Sequence, residues 1–136
     1  MSNKQDSQEN RSVRGSGGFI LVVEDDQTLR RLIMQLMGIL GYRAESARNG
    51  DAALHLVEEQ GLRPVLVLTD VVMPGMGGRM LVERLRKTLP GIKVIFMSGY
   101  TNDAVIRQGV LDAGIEFLQK PFDPSVLAAK IQSALS

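Results

Sequence analysis

Apolar residues in this chain fall into short unbroken runs separated by spaced stripes, and the alternation is regular from Phe19 onward. Phe19-Ile20-Leu21-Val22-Val23 is a continuous apolar run, the pattern of a strand covered on both faces. Leu29, Leu32, Ile33, Leu36, Met37 and Leu40 then share one stripe at helical spacing, and Gly41 ends that helix. Tyr42 to Ala47 reads as a weaker strand. Asn49-Gly50 opens a second helix with Ala53, Leu56 and Val57 inward. Pro64-Val65-Leu66-Val67-Leu68-Thr69 is another buried strand, with proline tolerated at its first residue. A loop with Pro74, Gly75, Gly77 and Gly78 leads into a helix through Leu81, Leu85 and Leu89, which Pro90-Gly91 breaks.

The second half repeats the scheme. Ile92 to Met97 predicts the fourth strand, about Asn102 to Ala113 a fourth helix despite Gly109, and Ile115 to Leu118 the fifth strand. Asp123 caps a fifth helix with Pro124 in its first turn, burying Val126, Leu127, Ile131, Ala134 and Leu135. Five βα units predict an α/β fold of three layers (αβα), a parallel five-stranded sheet with helices on both faces. A closed eight-stranded barrel needs about 250 residues, more than this chain has. The doubly wound open sheet of order 2-1-3-4-5 remains. Ligands of such sheets bind beyond the carboxyl ends of the strands, where the order reverses, here between strands 1 and 3.

Composition narrows the chemistry. The 136 residues suit one domain, and with no cysteine there is neither a disulfide nor a thiol nucleophile. His55 is the single histidine, which argues against polyhistidine zinc sites and most Ser-His-Asp schemes. Sixteen basic and 15 acidic residues leave a formal charge of +1 with no basic block, so direct nucleic-acid binding is not expected. No apolar stretch is long enough to span a membrane, and Met1 to Gly18 lack the apolar core of a signal peptide. A cytoplasmic location is expected. Residues 1–18 contain only Met1 and Val13 as large apolar residues and end in Gly15-Ser16-Gly17-Gly18, the composition of a flexible tail or linker before a domain over 19–136.

The strand ends carry the reactive groups. Glu24, Asp25 and Asp26 follow strand 1, Asp70 follows strand 3, Ser98 follows strand 4, and Gln119, Lys120 and Pro121 follow strand 5. Carboxylates brought together this way repel by about 4 kcal/mol at 4 Å and an effective dielectric of 20. A raised pKa or a bound cation relieves this, and hard oxygen donors favour Mg²⁺ or Mn²⁺. Carboxylates, a lysine, a hydroxyl and a divalent cation make a phosphoryl-transfer set. Asp70 is the best candidate nucleophile, because it ends a central strand before a Gly/Pro loop that leaves space above it. Asp25 would hold the cation, Lys120 would pair with Asp70 or the phosphoryl group, and Ser98 would donate to a phosphoryl oxygen. Asp26 reads best as a helix cap, and His55 as an exposed helix residue.

Four pieces resemble the receiver domain of two-component response regulators. They are Leu21-Val22-Val23-Glu24-Asp25-Asp26, Leu68-Thr69-Asp70-Val71-Val72-Met73-Pro74-Gly75-Met76, Phe96-Met97-Ser98-Gly99-Tyr100 and Phe117-Leu118-Gln119-Lys120-Pro121-Phe122. Their wording is most similar to receivers attached to hybrid histidine kinases. The resemblance covers about residues 19–136 and implies a flavodoxin-like (βα)5 fold. It also implies that Asp70 accepts phosphate from a histidine kinase or histidine phosphotransfer domain. It makes Asp25 and Asp70 direct Mg²⁺ ligands, Glu24 a ligand through water, and the Val72 backbone carbonyl a further ligand. It makes Ser98 the switch hydroxyl, Phe117 the switch aromatic and Lys120 a contact to the phosphoryl group, followed by a cis Lys120–Pro121 bond. The surface of the fourth helix, fifth strand and fifth helix becomes the output face, with homodimerisation through it as one expected use.

Glu24 stands where this family more often has aspartate. Val72 and Tyr100 are respectively apolar and bulky at positions flanking an attacking water, so slow self-dephosphorylation is expected. A dehalogenase-type phosphatase would need a second acid at Val72. A flavodoxin-type electron carrier would set Glu24, Asp25 and Asp26 against a flavin phosphate. A receiver fold kept for protein contacts alone remains the third alternative.

Overall fold

The computed structural model describes residues 18–99 and 115–136. Its strands are β1 (Ile20–Val23), β2 (Ala44–Ala47), β3 (Leu66–Asp70), β4 (Lys93–Ser98) and β5 (Ile115–Gln119). Its helices are α1 (Gln27–Leu40), α2 (Gly50–Leu54), α3 (Gly78–Thr88) and α4 (Pro124–Leu135), the last being the fifth helix of the sequence reading. The helix expected at about 102–113 and most of the expected tail lie outside the described residues.

All strand pairs are parallel and the order is β2-β1-β3-β4-β5. The three-layer, doubly wound arrangement is therefore as expected. Successive residues along β1, β3 and β4 feed opposite cores. Leu21, Val23, Val67, Val94 and Phe96 pack with Ala53, Leu54, Val57, Leu81 and Leu85 of the α2/α3 side. Ile20, Val22, Leu66, Leu68, Ile95 and Met97 pack with Ile33, Met37, Leu127 and Ile131 of the α1/α4 side. Two buried faces explain the unbroken apolar runs.

Side chains cap the N-termini of α1, α2 and α4. The Asp26 carboxylate accepts from the Leu29 amide at 3.0 Å, Asn49 from Ala52 at 2.8 Å and Asp123 from Ser125 at 2.8 Å. Gly41 takes φ +88° at the end of α1, a conformation glycine adopts without strain. Beyond Leu54 the second helix widens into a π-helical stretch, His55–Glu59, which the 3.6-residue pattern did not foretell.

Two expected core positions are corrected. Leu32 is 48% exposed and Val126 is 44% exposed. On α1 the fully buried arc is Ile33 and Met37, and on α4 it is Leu127 and Ile131. Each is an i,i+4 pair on the line of contact with the sheet, so a residue next to it on the helical wheel is left on the flank. Among the described residues no helix is long and apolar enough to cross a membrane.

Candidate functional site

Parallel register puts the strand tips at one edge. Val23 of β1 pairs with Thr69 of β3, so the next residues, Glu24 and Asp70, leave the sheet side by side. Asp70 pairs with Met97 of β4, one residue before Ser98, which in turn pairs with Gln119, one residue before Lys120. The Lys120 amide donates to the Ser98 carbonyl at 2.8 Å, and the Lys120–Pro121 peptide is cis.

The side chains converge accordingly. Lys120 Nζ lies 2.8 Å from Glu24 Oε1 and 2.6 Å from Asp70 Oδ1. Glu24 and Asp70 are 1% and 3% exposed, whereas Asp25 is exposed. One carboxylate oxygen from each of Glu24, Asp25 and Asp70 lies within 4.8 Å of the others. The second Glu24 oxygen, Oε2, accepts from the Asp26 amide at 2.9 Å. Asp70 Oδ2 is buried with no hydrogen-bond partner among the described residues. An orphaned buried carboxylate oxygen is costly, and the Asp70 carboxyl also lies close to two further carboxylates. Oxygen donors, excess negative charge and an exposed third ligand at the rim fit a hard divalent cation.

Electrostatics agree with that deficit. Burial pushes the Asp70 carboxyl up from 3.8 to about 8; Lys120 pulls it down while the Glu24 carboxylate pushes it further up. Burial works against the Lys120 ammonium, but bonds and charges from Asp70 and Glu24 outweigh it and hold its pKa above the ordinary lysine value. The two trends compete, because a protonated Asp70 offers Lys120 less. With Glu24 also in contact, Lys120 stays cationic, and one ammonium serves two buried carboxyl groups.

Ser98 is buried at the tip of β4. Phe117 is half-buried on β5, opposite Phe96, and packs against the α2/α3-side core. Val72 is 58% exposed in the β3–α3 loop, where Gly75 at φ +78° reverses the chain. Tyr100 lies outside the described residues. Sequence reasoning missed Arg30, whose guanidinium donates to the Glu24 carbonyl at 2.8 Å. A cation one turn into the helix that follows an acidic strand tip was the available signal.

Comparison with known proteins agrees with this geometry. A family model described as the response regulator receiver domain matches residues 20–132. Sensor kinase CckA of Brucella abortus (strain 2308) is 41% identical over 116 residues, 85% of this chain and 12% of that protein. The crystal structure of the receiver domain from hybrid histidine kinase CckA superposes with a TM-score of 0.73 at 33% identity, covering 86% of this chain and 98% of that one. The signal receiver domain of a signal transduction histidine kinase from Syntrophus aciditrophicus gives 0.75 at 31% identity, covering 88% and 90%. The acidic cluster at the switch point, the 2-1-3-4-5 sheet and a family match over most of the chain lead to one conclusion: this chain belongs to the response regulator receiver family, phosphoacceptor signalling domains of two-component systems.

Proposed function

We propose that Asp70 is the phosphoacceptor of a Mg²⁺-dependent signalling switch in a phosphorelay. The observation that carries this reading is Lys120 Nζ bridging Asp70 at 2.6 Å and Glu24 at 2.8 Å, with the Asp25 carboxylate beside them. An Asp70 oxygen attacks the phosphorus of a donor phosphohistidine; the P–N bond breaks and its electron pair leaves with the imidazole. The product is an aspartyl phosphate. Lys120 holds one phosphoryl oxygen and Ser98 donates to another. Asp25, Asp70 and the Val72 carbonyl would hold the cation, with Glu24 acting through water; when bound, it neutralises charge on the transferring group. Ser98 and Phe117 then relay the change to β5, α4 and the helix read at 102–113, the surface for output partners or a second copy of this chain.

The test is intact mass after incubation with acetyl phosphate, with and without Mg²⁺. The reading predicts one added phosphoryl group, dependent on the cation and absent in Asp70→Asn. Uptake without a cation, or uptake that survives Asp70→Asn, contradicts it. Apolar Val72 orients no water, so the acyl phosphate is expected to decay slowly; a half-life of seconds at neutral pH contradicts that part.

A further inference from the structure

Gly77 and Gly78 open α3 at the end of the loop that follows Asp70. Gly77 is the cap, and Gly78, the first residue of the helix, is buried. Its amide donates to the Val71 carbonyl at 2.9 Å. A Cβ added to Gly78 would stand 2.0 Å from the Asp70 carbonyl oxygen, 3.0 Å from its carbonyl carbon and 3.2 Å from Phe96 Cε1. A Cβ on Gly77 would stand 3.2 Å from the Val71 carbonyl oxygen. The first turn of α3 therefore lies directly on the peptide that follows the proposed phosphoacceptor. The neighbouring strand blocks retreat, because Asp70 is held in register with Met97 and the Val71 amide donates to the Met97 carbonyl at 2.9 Å.

From this packing we propose that Gly78 is a positioning residue for Asp70, with Gly77 a weaker second. The absence of a side chain lets the helix press on the Asp70–Val71 peptide and hold the carboxylate within reach of Lys120 Nζ. Any side chain at 78 must move either α3 or the Asp70 carbonyl, since the two closest obstructing atoms are backbone. The proposal rests on the phosphoacceptor reading and adds what sets the acceptor's aim. A displacement of about 1 Å at a reacting group costs on the order of a hundredfold in rate.

The experiment measures acyl-phosphate formation from acetyl phosphate at saturating Mg²⁺, separating maximal rate from half-saturation, alongside thermal unfolding. Four proteins are compared: wild type, Gly78→Ala, Gly77→Ala and Gly61→Ala. Gly61 has φ +74° with nothing within 4 Å of an added Cβ, so its alanine variant is strained but remote from Asp70. Gly78→Ala is expected to lower the maximal rate about a hundredfold and Gly77→Ala about fivefold, with half-saturation little changed. Gly61→Ala is expected to lose stability and keep the wild-type rate. Should Gly78→Ala fail to fold, the Gly77→Ala rate decides alone. A wild-type maximal rate in a folded Gly78→Ala or Gly77→Ala variant overturns the proposal, and so does a rate loss in Gly61→Ala that matches its stability loss. Wild-type protein that takes up no phosphate, or uptake that persists in Asp70→Asn, refutes the phosphoacceptor reading instead.

Discussion

The middle of the central strands and their carboxyl tips are buried alike but respond to burial in opposite ways. Leu68 and Ile95 are fully buried mid-strand, where removal from water contributes about 1.5–3 kcal/mol per side chain. Two residues beyond Leu68, Asp70 is almost as buried, and there the same exclusion of water penalises a charge. The core holds the tip in place at a cost to the tip. On the proposed reading this cost is useful, because Asp70 and Glu24 share the single Lys120 ammonium and a cation would relieve the remaining charge deficit.

The comparison breaks most visibly in the core. Leu68→Ala should cost about 3 kcal/mol through lost burial and the cavity left behind. Urea unfolding measures it, and a loss below about 1 kcal/mol would mean that the sheet interior is loosely packed.

At the tip the sign reverses. Asp70 keeps its proton to about 8 when folded, against an ordinary value of 3.8. Between those values the unfolded chain loses the proton first, so the folded state binds more protons and stability falls as pH rises. Metal-free protein should therefore melt about 10 °C lower at pH 8 than at pH 5, after subtraction of the same curve for Asp70→Asn. Mg²⁺ should abolish most of that difference. Equal slopes for the wild type and Asp70→Asn would show that Asp70 is not strained by its burial.

The smallest effect belongs to the surface. Arg79 and Glu83 form an exposed i,i+4 pair at 3.7 Å on α3. Glu83→Ala should change stability by less than about 0.5 kcal/mol, and less still in high salt. A larger change would mean that this face of α3 is coupled to the Asp70 loop.

Much of this was readable from residue order. The runs at Phe19 to Val23 and Pro64 to Thr69 announce doubly covered strands because both faces need apolar residues. Parallel register then gathers Glu24, Asp70, Ser98 and Lys120 at one edge whatever the loops do. What was not readable depends on three-dimensional detail. Leu32 and Val126 fit an apolar stripe, yet curvature of the helix surface leaves them on the flank. The π-helical His55–Glu59 has no signature in hydrophobic spacing. Gly78 reads as a loop glycine until the Asp70 carbonyl appears beneath it. The bidentate use of Glu24, by Lys120 and by the Asp26 amide, needs its longer arm in place to be seen.

The most direct measurement is the position of the label. Borohydride reduces an aspartyl phosphate to homoserine, and peptide sequencing by mass locates it. After acetyl phosphate and Mg²⁺, homoserine should appear at position 70 alone, and chelation of the cation should remove it. Homoserine at position 25 or 26, or at position 70 without any divalent cation, would contradict this account of the strand tips.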